Sequence, residues 1–264
     1  MGRVTAVETG NDSLSRGPPS PAGRGGQGVR TNVREGVRGA RTLARQRESF
    51  TRRLLAWYAR SARDLPWRRT RDPYRVLVSE VMLQQTQVSR VSEFYPRFLE
   101  RFPTVQHLAR AEPRAVREAW DGLGYYARAS NLHALARVVS RDFDGRVPEN
   151  PQALLKLPGV GPYTAGAVAS FAYEKPVPAV DTNVARVIRR VFFGRETGTR
   201  KRETNVWRTA AALVPKNGKK AWKFNQAIME LGALICVARK PRCPECPVRT
   251  VCRTGKRRGR RLDV

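Results

Sequence analysis

The stretch Leu154–Ala172, LLKLPGVGPYTAGAVASFA, decides the fold. Apolar residues run at helical intervals on both sides of a break in which Pro158 and Pro162 flank Gly159, Val160 and Gly161. Two helices joined by so short a glycine turn make a helical hairpin. The turn glycines let the backbone approach a partner closely, and the first N–H groups of the following helix suit a phosphate. Gly159 and Gly161 are therefore candidate phosphate contacts, although a plain connection between packed helices could carry the same PGVG.

Outward from the hairpin the pattern stays helical. Phe50, Leu54, Leu55 and Tyr58 recur at helical spacing, and FNQAIMELGALIC at Phe224–Cys236 reads the same way. Alternating strand patterns are absent, so the expectation is an all-α core with loops at RDLPW, TRDPY, RFPT and KPVPAVD. No long-period repeat is visible. Residues 1–44 are rich in Gly, Pro, Ser and Arg and precede the first aromatic residue, Phe50. Such a segment buries too little apolar surface to offset its ordering entropy and reads as a disordered basic tail, with a transit peptide as the functional alternative. Residues 253–264, RTGKRRGRRLDV, read as a second basic tail, which leaves 45–252 to fold.

The formal charge is +29, from 51 Lys and Arg against 22 Asp and Glu. A polyanion is the expected partner, with attraction that weakens as salt rises, and nucleic acid is the default. No apolar run reaches the length of a spanning helix and no lipidation signal is visible, which argues against a membrane.

Two carboxylates stand in unusual places. Glu80, in YRVLVSEVMLQQTQV, has Val76, Leu77 and Leu83 as its helical neighbours. A solvated glutamate would have polar company there; a carboxyl held against apolar walls has its pKa raised by desolvation and is a candidate general acid. Asp181 precedes TNVARVIRRVFF, whose Val184, Val187, Ile188 and Val191 form a helix stripe. It is a favoured N-cap, ionised beside helix N–H groups, and capping alone would explain it. An acid paired with a fixed anion also suits cleavage of a glycosidic bond.

All four cysteines fall in CVARKPRCPECPVRTVC, as C-x6-C-x2-C-x5-C at Cys236, Cys243, Cys246 and Cys252. Disulfides suit a small secreted scaffold, and structural zinc usually shows two short Cys–Cys knuckles, of which only Cys243 and Cys246 form one. Uneven gaps in one loop suit a [4Fe-4S] cluster, with the other two answers still open on spacing alone.

Together and in this order, RDLPWR, SEVMLQQTQV, GLGYYARASNL, LPGVGPYTAG, VDTNVARV, FNQAIMELGALIC and the cysteine loop resemble the endonuclease III superfamily of helix-hairpin-helix DNA glycosylases, and within it the MutY-type adenine glycosylases. The resemblance covers about Gln46–Cys252. It implies a two-lobed helical fold, a [4Fe-4S] cluster on the four cysteines with Arg239, Lys240, Arg242 and Arg249 facing phosphates, and a double-stranded DNA partner carrying a mismatched or oxidised base pair. It also implies a monomer and, in a bacterium, a cytoplasmic, nucleoid-associated location.

Residue by residue, the resemblance makes Glu80 the acid that protonates adenine N7 and Asp181 the carboxylate that stabilises the oxocarbenium ion. Tyr163 takes the place of the Schiff-base lysine of bifunctional relatives, so a lyase step should be missing. Asn183 and Gln226 fall around the adenine pocket, and Arg63, Trp67 and Arg68 form its walls. Gln85, Thr86 and Tyr125 match residues that wedge into the duplex and contact the opposite base while the target base is extruded. Outside that context Trp67 and Tyr125 read equally as core aromatics, and Gln85 and Thr86 as a solvated helix face. His107 and His133 read as structural. Thr182 stands where these glycosylases commonly have glycine, and the second domain that helps them read 8-oxoguanine is not seen after Cys252, so a weaker preference for that base is expected. A thymine-glycosylase branch acting on G:T mismatches shares Tyr at this position but lacks the SEVMLQQ acid, and a non-catalytic DNA-binding module would have lost one of the two carboxylates.

Overall fold

Helices and loops, with no strand, make up the described residues 28–194 and 200–255 of this computed structural model. In chain order the helices are α1 (Gly28–Ser61), α2 (Pro73–Met82), α3 (Val88–Arg101), α4 (Val105–Arg110), α5 (Pro113–Ala119), α6 (Ala127–Asp142), α7 (Pro151–Leu154), α8 (Pro162–Tyr173), α9 (Thr182–Ile188), α10 (Arg200–Leu213) and α11 (Gly218–Leu234). The all-α expectation holds. The chain divides into two units, Met1–Leu43 and Ala44–Val264.

Of the segment 1–44 expected as a basic tail, the described part is helical from Gly28. No proline stands between Pro21 and Pro66, and Arg, Ala, Leu and Glu tolerate a helix, so a composition poor in aromatics did not prevent one. Residues 1–27 lie outside the described residues. So does the second basic tail beyond Gly255.

Within Ala44–Val264 the buried apolar residues form two clusters. One joins α2 through α8, with Trp120, Phe98, Leu77 and Met82 among its fully buried members. The other joins Phe50, Leu54 and Tyr58 of α1 to α9, α10 and α11. Phe50 makes edge-on ring contacts with Phe192 at 5.3 Å and Phe224 at 6.4 Å, which fixes α1 to that second lobe. Met229 of α11 packs against both clusters. Residues of both clusters, among them Trp67 and Phe171 of the first and Val180 and Ala185 of the second, line one cleft.

Helix α2 is the axis of the first lobe. Asp72 caps it by accepting the Arg75 N–H at 2.9 Å, Pro73 starts it, and every residue from Val76 to Met82 is buried. Its neighbour α8 is buried from Thr164 to Phe171 and built from small residues, which permits close packing. The predicted hairpin is present: Asn150 caps α7, and Gly159 turns with φ +72 against Asn131 before Gly161 and Pro162 open α8. A side chain at Gly159 would meet the Asn131 Cβ at 2.8 Å as well as straining the backbone.

Candidate active site

The cleft collects residues that are far apart in the chain. Arg63, Trp67, Arg68, Glu80, Gln85, Thr86, Tyr163, Asp181, Asn183 and Gln226 all line one cavity. Tyr125, Gly159, Gly161 and the four cysteines lie outside it. Tyr125 is 61% exposed, which removes the core-aromatic alternative for that residue. Trp67 is buried and makes an edge-on contact with Tyr95 at 5.6 Å, so it is both wall and core.

Glu80 is only 4% exposed, on the α2 face turned toward α8. Its Oε2 accepts a 2.6 Å hydrogen bond from the Tyr163 hydroxyl. Burial pushes its pKa up to about 7; the Tyr163 hydrogen bond and Arg68 pull it down, and Asp181 pushes it further up. Burial beside the two carboxyl groups holds the Tyr163 phenol well above its ordinary pKa, so it donates as a neutral hydroxyl.

Asp181 arrives by a crossing over α8. A methyl group at Gly166 would lie 2.2 Å from the Pro178 carbonyl oxygen, so only glycine lets the 176–180 segment pass this close. Asp181 then caps α9: Oδ1 accepts the Val184 N–H at 2.7 Å and Oδ2 accepts from Asn183 Nδ2 at 2.8 Å. Burial outweighs these donors and raises the pKa above the ordinary aspartate value, which N-capping alone did not suggest. Asn183 is held in turn by Arg186, whose Nη2 donates to Asn183 Oδ1 at 2.7 Å while its Nε reaches the Cys236 carbonyl at 2.8 Å.

The opposite wall is built on Glu230, which the sequence reading missed. Its carboxylate is buried and accepts from Arg63 Nε at 2.8 Å, Arg63 Nη2 at 2.9 Å and Arg68 Nη2 at 2.8 Å. Burial alone would raise its pKa, but the two guanidinium groups override this and hold it at about 2. Arg68 Nε also donates to Gln226 Oε1 at 2.8 Å, leaving the Gln226 amide nitrogen to be presented. At i−4, i−3 and i+3 Glu230 has Gln226, Ala227 and Ala233, and the polar Gln226 is why the apolar-face criterion that singled out Glu80 passed it over.

Beside the second lobe, all four cysteines line a small cavity with Val187, Val191, Leu231, Ile235 and Val248. No three side chains among the described residues are placed to hold a single metal ion. Donors nevertheless aim at the sulfurs: Arg190 Nη1 lies 3.5 Å from Cys236 Sγ, and the Gly255 N–H 3.3 Å from Cys252 Sγ. Without a metal, burial raises the Cys246 thiol to about 12 and pushes Cys252 up as well. Four free thiols in one apolar niche with N–H donors fit a cluster with thiolate ligands. His107 bonds the cap residue Thr104 at 2.8 Å and His133 is buried, in keeping with structural roles.

Residues 78–212 match the model of the HhH-GPD superfamily of base excision DNA repair proteins. The chain is 47% identical over 196 residues to an adenine DNA glycosylase of Mycobacterium tuberculosis, covering 74% of this chain and 64% of that one. It is 43% identical over 221 residues to one of Rattus norvegicus, covering 80% and 42%. The chain thus spans less than two thirds of these relatives' length. Among solved structures it resembles a thermostable thymine-DNA glycosylase, with TM-score 0.76, 35% identity and coverage of 81% of this chain and 99% of that one. A non-covalent endonuclease III–DNA complex aligns with TM-score 0.70 and 28% identity over 82% and 98%.

Proposed function

The chain belongs to the HhH-GPD superfamily of base excision DNA repair proteins, and from that premise we propose that it hydrolyses the N-glycosidic bond of adenine mispaired with 8-oxoguanine or guanine. The observation that carries this reading is Glu80, buried in a cavity with Asp181, bonded to Tyr163 and poised at about 7. An acid of that strength is half protonated at neutral pH and can give its proton to adenine N7, making the base a better leaving group. Thymine offers no equivalent ring nitrogen. Asp181, fixed by Asn183 and the α9 N–H groups, stabilises the cationic sugar left behind.

Gln226, Arg68 and Trp67 form the wall against which the extruded base rests, and Gln85, Thr86 and Tyr125 fill the space it leaves in the duplex. Tyr163 has no amine, so the reaction ends at base release without a Schiff base. Cys236, Cys243, Cys246 and Cys252 would hold a [4Fe-4S] cluster, which when bound stiffens the loop that presents Arg239, Lys240 and Arg249 to DNA phosphates. The net charge of +29 supports DNA as the partner.

A second reading, removal of thymine or uracil opposite guanine, is favoured by the 35% identity to a thymine-DNA glycosylase and by Tyr163. Single-turnover assays on 8-oxoguanine:A, G:A, G:T and G:U duplexes, with wild type and Glu80→Gln, decide between them. Adenine release that Glu80→Gln slows on the order of 10²-fold supports the first reading. Faster release of thymine or uracil, indifferent to Glu80, supports the second.

A further inference from the structure

The two segments that carry the proposed wedge share an uncommon backbone. Gln85 has φ 58 and Tyr125 φ 49, left-handed conformations that side-chain-bearing residues adopt only when their surroundings hold them. What holds both is Arg128, the second residue of α6 and only 9% exposed. Its Nη1 donates to the carbonyls of Val81 at 3.1 Å and Met82 at 2.8 Å, and also to that of Gln84. Its Nη2 donates to Thr86 Oγ1 at 2.9 Å and to the carbonyls of Leu123 at 3.3 Å and Gly124 at 3.1 Å.

The acceptors on Gln84 and Thr86 bracket Gln85, and the last, on Gly124, immediately precedes Tyr125. The guanidinium also lies 5.4 Å from the Tyr125 ring centroid and 5.5 Å from that of Trp120. None of these partners is a carboxylate, so the buried charge rests on carbonyl dipoles, including those at the C-terminal end of α2. A lysine could not replace it, because a single ammonium cannot span acceptors on two loops.

We infer that Arg128 is a positioning residue that locks loops 83–86 and 122–125 into one unit, so that Gln85 and Tyr125 enter the duplex together. This rests on the reading of those two residues as the DNA wedge. The coupling itself can be measured without DNA, by amide hydrogen exchange on the free protein. Arg128→Lys is expected to speed exchange in both loops on the order of tenfold or more, with α8 unchanged. Acceleration in neither loop, or in one alone, overturns the inference.

Should Arg128→Lys not fold, Thr86→Val carries the same test. Removing that hydroxyl must speed exchange at 122–125, a loop with which it shares no hydrogen bond among the described residues, and unchanged exchange there overturns the lock. On DNA, 2-aminopurine placed beside a G:A mispair should brighten when wild type binds and unstacks it. Arg128→Lys should lose most of that rise, matching the Gln85→Ala/Tyr125→Ala double variant, which should fall no further when Arg128→Lys is added. A full rise with Arg128→Lys, or no rise with wild type, overturns the inference. Wild type that brightens the probe but releases no adenine sinks the adenine reading and leaves the lock standing.

Discussion

The Tyr163 hydroxyl donates to Glu80 Oε2 at 2.6 Å across 83 residues of sequence, tying the start of α8 to the buried carboxyl of α2. This hydrogen bond favours the ionised carboxylate, and burial favours the protonated acid. Burial wins, which leaves Glu80 at about 7. As a general acid Glu80 works in its protonated form, so single-turnover adenine release should be high below that value and fall as pH rises through it. Tyr163→Phe removes the interaction that lowers the pKa and should move this alkaline limb to higher pH. A limb that stays in place or moves down would separate Glu80 from the titration.

The same burial has a consequence for stability. A carboxyl whose folded pKa lies above its unfolded value binds its proton more tightly when folded, so its ionisation destabilises the fold as pH rises from about 4.5 through about 7. Glu80→Gln should therefore be more stable than wild type above neutral pH, by on the order of 3 kcal/mol. The gap should close below the unfolded pKa. Urea unfolding at several pH values measures it, and a gap independent of pH would contradict the assignment.

Glu230 has the opposite sign. Its pKa is held at about 2, so its stabilisation is fully present above the unfolded carboxylate value and is lost as pH falls toward 2. Glu230→Ala leaves the nearly buried Arg68 without its counter-ion, and a loss of roughly 3 kcal/mol or more is expected. Because Arg68 also positions Gln226, adenine release should fall with stability. Thermal unfolding that is unchanged would show that the two arginines find other partners.

Gly166→Val tests how Asp181 reaches the site. With 2.2 Å between an added Cβ and the Pro178 oxygen, the crossing segment must shift, and Asp181 with it. A large loss of activity at temperatures where the variant remains folded is expected, and wild-type rates would show that the crossing tolerates displacement.

The cysteine niche calls for a direct assay. The purified protein should be brown and contain about four irons per chain. One zinc per chain and no colour would remove the cluster.

Much of this was legible in the chain. The helical class and the hairpin follow from spacing over a few residues, because helix periodicity and glycine turns are local physics. Glu80 was found the same way, from apolar residues three and four positions away. Composition alone did not indicate the helix from Gly28, because richness in Gly, Pro, Ser and Arg over 1–44 hides a proline-free run at 28–44. The tertiary structure alone decided the rest. Glu230 meets Arg63 and Arg68 across more than 160 residues, the raised pKa of Asp181 comes from lobes that close around its cap, and one arginine holds two loops whose chain positions lie some 40 apart. Such pairings depend on which surfaces pack together and how much water they exclude, and desolvation is a property of the assembled fold rather than of any window of sequence.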